Sequence, residues 1–147
     1  LISRCFLGEN VRYDAGNNLL TQPLISQWKE EGRLIVICPE VAGGLSIPRP
    51  PAEINKRSKK IITIDGDDVS DAFSYGAKKA LALCEMHDIR FALLKESSPS
   101  CGSTMIYDGS FSSCKVSGEG VTTKLLREHS IQVFSEDNVL QLARLLN

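Results

Sequence analysis

"LIVICPE", residues 34–40, sets four consecutive aliphatic side chains directly against a cysteine, a proline and a glutamate. A strand with one face in water alternates apolar and polar residues, whereas a strand buried on both faces reads as an unbroken apolar run. Leu34–Ile37 is therefore expected inside a parallel sheet. Phe91–Leu94, Ile131–Phe134 and the opening Leu1–Ser3 read the same way, and Ile61–Ile64 is a further short candidate.

Helical spacing fills the intervals. Leu24, Ile25 and Trp28 pattern a first helix with Gly32 as its stop. Val69, Phe73, Ala77, Ala80, Leu81 and Cys84 recur at spacings of three and four along one stripe, with Asp67 or Asp68 available as the cap. Val121–Arg127 and Asn138–Leu146 make two more helices, the last with Val139, Leu140, Ala143 and Leu146 inward. Strands alternating with helices predict a three-layer, Rossmann-like α/β fold: an open, mostly parallel sheet with helices on both faces. Two stretches resist this pattern. "PEVAGGLSIPRPPAE" (39–53) holds four of the six prolines and is expected to form a rigid loop over a site. Residues 95–120 show little regular pattern, and loops of that length in compact domains are usually functional.

Bulk properties bound the answer without deciding it. A chain of 147 residues suits one domain, expected over 1–147, with a real core. A net charge of -1 favours no DNA, RNA or membrane partner. Apolar runs reach about five residues, against roughly 20 for a bilayer span, so a cytoplasmic protein is expected. Leu1 already lies within a strand-like run, so the natural chain is expected to begin upstream, where any targeting signal would also lie. The five cysteines are odd in number and widely spaced, which fits a disulfide framework poorly and points to free thiols.

Three of those thiols share a position. In open parallel sheets ligands lie beyond the carboxyl ends of the strands. Cys5, Cys38 and Cys101 each follow a predicted strand, so residues 33 and 63 positions apart are expected to meet in one crevice. Cysteine is also commonly buried as a small hydrophobe. Against that stand Gly8, Pro39, Pro99 and Gly102, which free or restrict the backbone beside the thiols in ways that core packing does not require. Zinc and an iron–sulfur cluster are the two guests for such thiolates. Structural zinc is the weaker case, since it usually takes four ligands from short-spaced pairs and no Cys-x-x-Cys is present. Three thiolates on a cubane leave one iron open to act as a Lewis acid.

"CFLGENVRYDAGN", "CPEVAGGLSIPRPPAEI", "KESSPSCGSTMIYDGSF" and "GEGVTTKLL" together resemble the thiouracil desulfidase family of small cysteine-containing bacterial proteins, formerly a domain of unknown function. The resemblance spans almost the whole chain. It departs at Phe6, where the family often has Leu beside the first ligand, a conservative change. It implies an oxygen-sensitive four-iron four-sulfur cluster ([4Fe-4S]) held by Cys5, Cys38 and Cys101, and a C=S to C=O exchange without net redox change. The implied substrates are 2-thiouracil, 4-thiouracil or 4-thiouridine. Glu40 is the implied assisting carboxylate and Ser98 the assisting hydroxyl.

The chemistry agrees with that implication on independent grounds. A thiocarbonyl sulfur is soft and suits a thiolate-liganded iron, while an adjacent carboxylate can take the proton of an attacking water. Glu40 is the candidate base; a salt bridge with Arg49 is its plainer reading. For Ser98 the plainer reading is a turn-capping hydroxyl. The rival function is a noncatalytic metal- or cluster-binding module, RNA-associated through Lys56, Arg57, Lys59 and Lys60. A tRNA partner is less favoured than a small-molecule thiolated pyrimidine. Asp14, Asn17 and Asn18 are candidates to read a pyrimidine ring, or simply turn formers. Lys95 and Glu96 are candidates to pair or to orient Ser98. Cys84 is expected in the core, Cys114 as an incidental loop thiol, and His87 and His129 as cap or surface residues near helix ends.

Overall fold

The computed structural model describes residues 1–146. Along the chain run β1 (Ile2–Ser3), a 3-10 turn (Arg4–Leu7), α1 (Pro23–Glu30), β2 (Val36–Ile37), α2 (Pro39–Ala42), β3 (Ala52–Ile54), β4 (Ile61–Thr63), α3 (Ser70–Met86), β5 (Phe91–Leu93), β6 (Met105–Tyr107), β7 (Lys115–Ser117), α4 (Val121–Glu128), β8 (Gln132–Phe134) and α5 (Val139–Leu146).

The central sheet has the order β2-β1-β5-β8, with every neighbour parallel. Its strands explain their own composition. Ile37, Ala92, Leu94 and Val133 pack with Ala80 and Cys84 of α3 and Leu126 of α4. Ile2, Leu93 and Phe134 turn the other way, onto Ile25 and Trp28 of α1 and Val139 and Leu142 of α5. Helices cover both faces of the sheet, so its strands are mainly apolar, and each fully buried aliphatic or Phe side chain stabilises the fold by roughly 1.5–3 kcal/mol. The expected α/β architecture with helices on both faces is present, and Cys84 lies in the core as expected.

Helix ends follow local chemistry. Pro23 opens α1, and Gln22 accepts the Leu24 N–H through its side chain. Gly32 at φ 70° closes it, with the Arg33 N–H donating to the Trp28 carbonyl at 2.9 Å. The Asp68 carboxylate accepts the Ser70 N–H at 2.9 Å at the start of α3.

Two expectations need correction. Residues 39–53 are not all loop: they hold α2 and, at Ala52–Ile54, strand β3, which pairs antiparallel with β4. The 95–120 segment contains a second antiparallel hairpin, β6–β7, with Met105 opposite Ser117 and Tyr107 opposite Lys115. These strands are three residues long and mostly half-buried or exposed, so they carry neither an unbroken apolar run nor a clear alternation. Ile61–Thr63 thus belongs to a hairpin outside the parallel sheet.

A close backbone crossing places α2. Gly43 lies against Ala72, and Gly76 of α3 lies against Pro39, so a Cβ on Gly76 would stand 1.8 Å from the Pro39 carbonyl oxygen. In an ordinary helix interior Gly→Ala stabilises by roughly 1 kcal/mol. Here Gly76→Ala is expected to destabilise instead, by about 1–3 kcal/mol, lowering Tm by roughly 3–10 °C in a thermal melt; an unchanged or raised Tm would contradict the crossing.

Candidate functional site

A cavity of about 470 Å³ opens at the carboxyl ends of β1, β2 and β5, within the roughly 300–1,000 Å³ range of small-ligand sites. Cys5 stands in the turn after β1, Cys38 directly after β2 as the N-cap of α2, and Cys101 in the loop after β5. All three line this cavity, together with Glu40, Ser98 and Ser100. Three adjacent parallel strands therefore deliver three thiols to one place. Cys114 is exposed and outside the cavity lining.

Burial pushes all three thiols up, Cys101 most strongly, and ionising one raises the others by repulsion: Cys38 acts on Cys5, and both act on Cys101. Partial offsets come from the Asn18 side chain at Cys5, from the Val41 and Glu40 N–H groups at Cys38, and from the Ser100 hydroxyl at Cys101. Metal binding favours the thiolate form of such neighbouring sulfurs, and thiolates select iron or zinc over hard ions. Among the described residues no three His, Cys, Asp or Glu side chains close around one ion. The three thiols line one cavity, a donor set that fits a cluster whose thiolate ligands each meet a different iron.

The Cys101 loop is fixed by two devices. The first is the N-terminus of α4, whose unpaired N–H groups are taken by the loop itself: Val121 N–H donates to the Pro99 carbonyl at 2.9 Å and Thr122 N–H to the Ser100 carbonyl at 2.8 Å. Thr123 Oγ1 adds a hydrogen bond to the Cys101 carbonyl at 2.8 Å. Gly120 permits the approach, since a Cβ there would lie 2.4 Å from the Ser100 carbonyl carbon. The second is Glu96. Its carboxylate accepts from the N–H groups of Ser97, Ser103, Thr104 and Met105 and from the hydroxyls of Ser103 and Thr104. Burial raises the Glu96 carboxyl, but these donors outweigh it and hold it at about 2. Glu96 is thus a loop clamp rather than a partner of Ser98, while Lys95 pairs with Glu136 at 2.7 Å.

Glu40 makes the Arg49 salt bridge expected as its plainer reading, and it also meets two serines. Arg49, with a side chain only 7% exposed, donates from Nε to Glu40 Oε1 at 3.1 Å, and its other nitrogens reach the Ser46 and Val11 carbonyls. Oε2 faces the serines, 3.0 Å from Ser100 Oγ and 3.4 Å from Ser98 Oγ. A hydroxyl has one proton and two acceptor sites. Ser98 Oγ accepts the N–H groups of Ser100 and Cys101, both at 3.1 Å, so its proton goes to Ser100 Oγ at 2.8 Å, and the Ser100 proton is shared between Glu40 Oε2 at 3.0 Å and Cys101 Sγ at 3.4 Å. Ser98 therefore caps the turn and also feeds the carboxylate through Ser100. Ser100 and the organising role of Arg49 were missed in the sequence. Arg49 between prolines in "PRPP" was the available signal; nothing separated Ser100 from the other serines of the segment.

Other candidates lie elsewhere. Asp14 accepts the Gly16 N–H and pairs with Arg12, and Asn17 bonds Asn10 and the Leu19 N–H, so both form turns. Asn18 alone of that group lines the cavity. Lys56, Arg57, Lys59 and Lys60 are exposed at the β3–β4 connection, outside the cavity lining. His87 and His129 sit at the C-terminal ends of α3 and α4.

Fold and cavity together define an α/β protein with a thiol- and carboxylate-lined site at the strand ends. Residues 1–138 match the family model described as 2-thiouracil desulfurase, and the chain belongs to that family. It is 50% identical to the solved [4Fe-4S]-dependent thiouracil desulfidase TudS, with a TM-score of 0.95 over 99% of this chain and 95% of that one. It is also 38% identical over 147 residues to the uncharacterized protein YbbK of Bacillus subtilis (strain 168), covering 95% of this chain and 96% of YbbK. Among the described residues no helix is long and apolar enough to cross a membrane.

The anchoring of the Cys101 loop generates two expectations. Thr122 Oγ1 is buried with no hydrogen-bond partner among the described residues, whereas the neighbouring Thr123 holds the Cys101 carbonyl. Thr122→Val is expected to be neutral or stabilising, and Thr123→Val to cost about 1–2 kcal/mol, read as a Tm lowered by roughly 2–8 °C; equal effects would contradict the assignment. Because its folded pKa is depressed, Glu96 contributes stability above its ordinary value of 4.5 and loses it as pH falls toward about 2. The Tm gap between wild type and Glu96→Gln is expected to be open at pH 7 and to narrow through that window.

Proposed function

We propose that this protein is a [4Fe-4S]-dependent desulfidase that converts a thiolated uracil to its oxo form, with Cys5, Cys38 and Cys101 holding the cluster and Glu40 as general base. The observation that carries this reading is the convergence of three thiols and an arginine-held carboxylate on one cavity, in a chain of the 2-thiouracil desulfurase family. When bound, the cluster supplies an iron without a protein ligand, a soft Lewis acid matched to a thiocarbonyl sulfur.

The protein's own groups supply the proton chemistry. Arg49 fixes Oε1 of Glu40 and leaves Oε2 toward the cavity side occupied by Ser98 and Ser100. Glu40 takes a proton from the water that adds to the thiocarbonyl carbon, a contribution typically worth 10²- to 10⁴-fold. Ser98 and Ser100 orient the carboxylate and return that proton. The water oxygen becomes the new carbonyl oxygen, the sulfur leaves as hydrogen sulfide with the water's two protons, and no electrons are transferred overall. The substrate is a small thiolated pyrimidine, namely 2-thiouracil, 4-thiouracil or 4-thiouridine. A tRNA substrate is disfavoured because the basic Lys56–Lys60 run stands away from the cavity. Five free thiols support a reducing, cytoplasmic setting.

Anaerobically reconstituted protein is expected to bleach the thiocarbonyl ultraviolet band of 2-thiouracil or 4-thiouridine with release of sulfide. Glu40→Gln keeps a hydrogen-bonding partner for buried Arg49 and is expected to retain the cluster's visible absorbance while kcat falls by about 10²- to 10⁴-fold. Full activity in that variant would remove Glu40 as the base. Cys84→Ser is expected to leave cluster content unchanged.

A further inference from the structure

In the connection between β6 and β7, Phe111 adopts φ 57°, a left-handed conformation that bulky residues rarely accept. Such a backbone persists only where its surroundings over-determine it, and it commonly marks a functional position. The surrounding grip is visible. Glu53 of β3 accepts two N–H groups of this connection on a single oxygen, from Gly109 at 3.0 Å and from Phe111 at 3.2 Å. Gly109 is pressed so near β3 that a Cβ would lie 2.8 Å from the Ile54 carbonyl oxygen. A strand of one hairpin thus clamps the loop of the other, and both Glu53 and Phe111 line the cavity that holds the three thiols.

The cavity has three aromatic side chains in its lining, Tyr13, Tyr107 and Phe111. Arg12 stacks on the Tyr13 ring with its guanidinium carbon 5.7 Å from the centroid, and Lys115 Nζ stands 5.4 Å from the Tyr107 centroid. Both tyrosines are therefore engaged with cations of the protein. We propose that Phe111 is the residue against which the planar pyrimidine ring stacks, and that Glu53 is a positioning residue that acts only by holding Phe111 in place. The inference rests on the functional reading above and extends it to how the ring is held. Stacking binds ground state and transition state alike, so it is expected to appear in KM and in the equilibrium constant rather than in kcat.

The test uses anaerobically reconstituted holoenzyme with 2-thiouracil as the probe, in steady-state kinetics with an intact Glu40 and in isothermal titration calorimetry on the Glu40→Gln background, where turnover is too slow to disturb the binding equilibrium. Phe111→Leu keeps apolar bulk and removes the ring face, and is expected to raise KM and Kd by roughly tenfold with kcat within about threefold of wild type. Phe111→Tyr restores the ring and is expected to restore both constants. Glu53→Leu removes the acceptor and is expected to reproduce the Phe111→Leu effect, Glu53→Gln to rescue it, and the Glu53→Leu/Phe111→Leu pair to be no worse than either single change. Cluster absorbance is expected to stay constant across the set. Unchanged KM and Kd in Phe111→Leu overturn the inference while leaving the desulfidase reading intact. A wild type that binds 2-thiouracil without turning it over refutes the reaction, and weaker binding by Phe111→Leu then still supports the stacking role.

Discussion

The hydrogen bonds that hold β1 between β2 and β5 are short in extent, yet they bring the three cysteine-bearing chain segments to one edge. Ile2 lies opposite both Val36 and Leu93, so the three strands end on one edge, and the chain leaving each of them carries a cysteine into the same cavity. The pairing is secured by burial on both faces, through α3 and α4 on one side and α1 and α5 on the other. Strands of two or three residues cannot hold register through their ladders alone. Their side chains, sorted alternately into two cores, do so, because a slip of one residue would exchange the two packing surfaces.

Beyond the strand ends each thiol is held by a different device. Cys38 begins a short helix whose position is set by the contact of Pro39 with Gly76. Cys101 rides on a loop that caps the start of α4 and is clamped by Glu96. The Asn18 N–H donates to the Cys5 carbonyl at 3.0 Å. Half-buried carboxylates do much of this work, each in a separate role. Glu96 saturates its oxygens with loop donors, Glu53 holds the β6–β7 connection, and Glu40, with Arg49 on one oxygen, keeps the other toward Ser98, Ser100 and the cavity. Glu96 and Glu53 thus serve as acceptors for loop donors, whereas Glu40 is the carboxylate for which we propose a part in the chemistry.

Much of this was legible before any coordinates. The runs at 34–37, 91–94 and 131–134 announced a sheet covered on both faces, and the position of Cys5, Cys38 and Cys101 after strands followed from that sheet alone. The apolar stripe of α3 placed Cys84 in the core. The two hairpins were not legible, because "AEI", "MIY" and "KVS" line an outer wall that is partly wet and leave no periodic trace. Side-chain direction was equally hidden. Nothing in "SSPS" reveals that Ser98 spends its acceptor sites on the turn while Ser100 meets the carboxylate, or that Glu96 faces the following loop.

The central claim is that the sulfurs of Cys5, Cys38 and Cys101 surround one inorganic cluster. Diffraction from crystals grown and frozen without oxygen, collected at the iron absorption edge, tests it most directly. The account predicts a single four-iron anomalous peak bounded by those three sulfurs, with one iron free of protein ligands. Iron located elsewhere, or bound through Cys84 or Cys114, would contradict it.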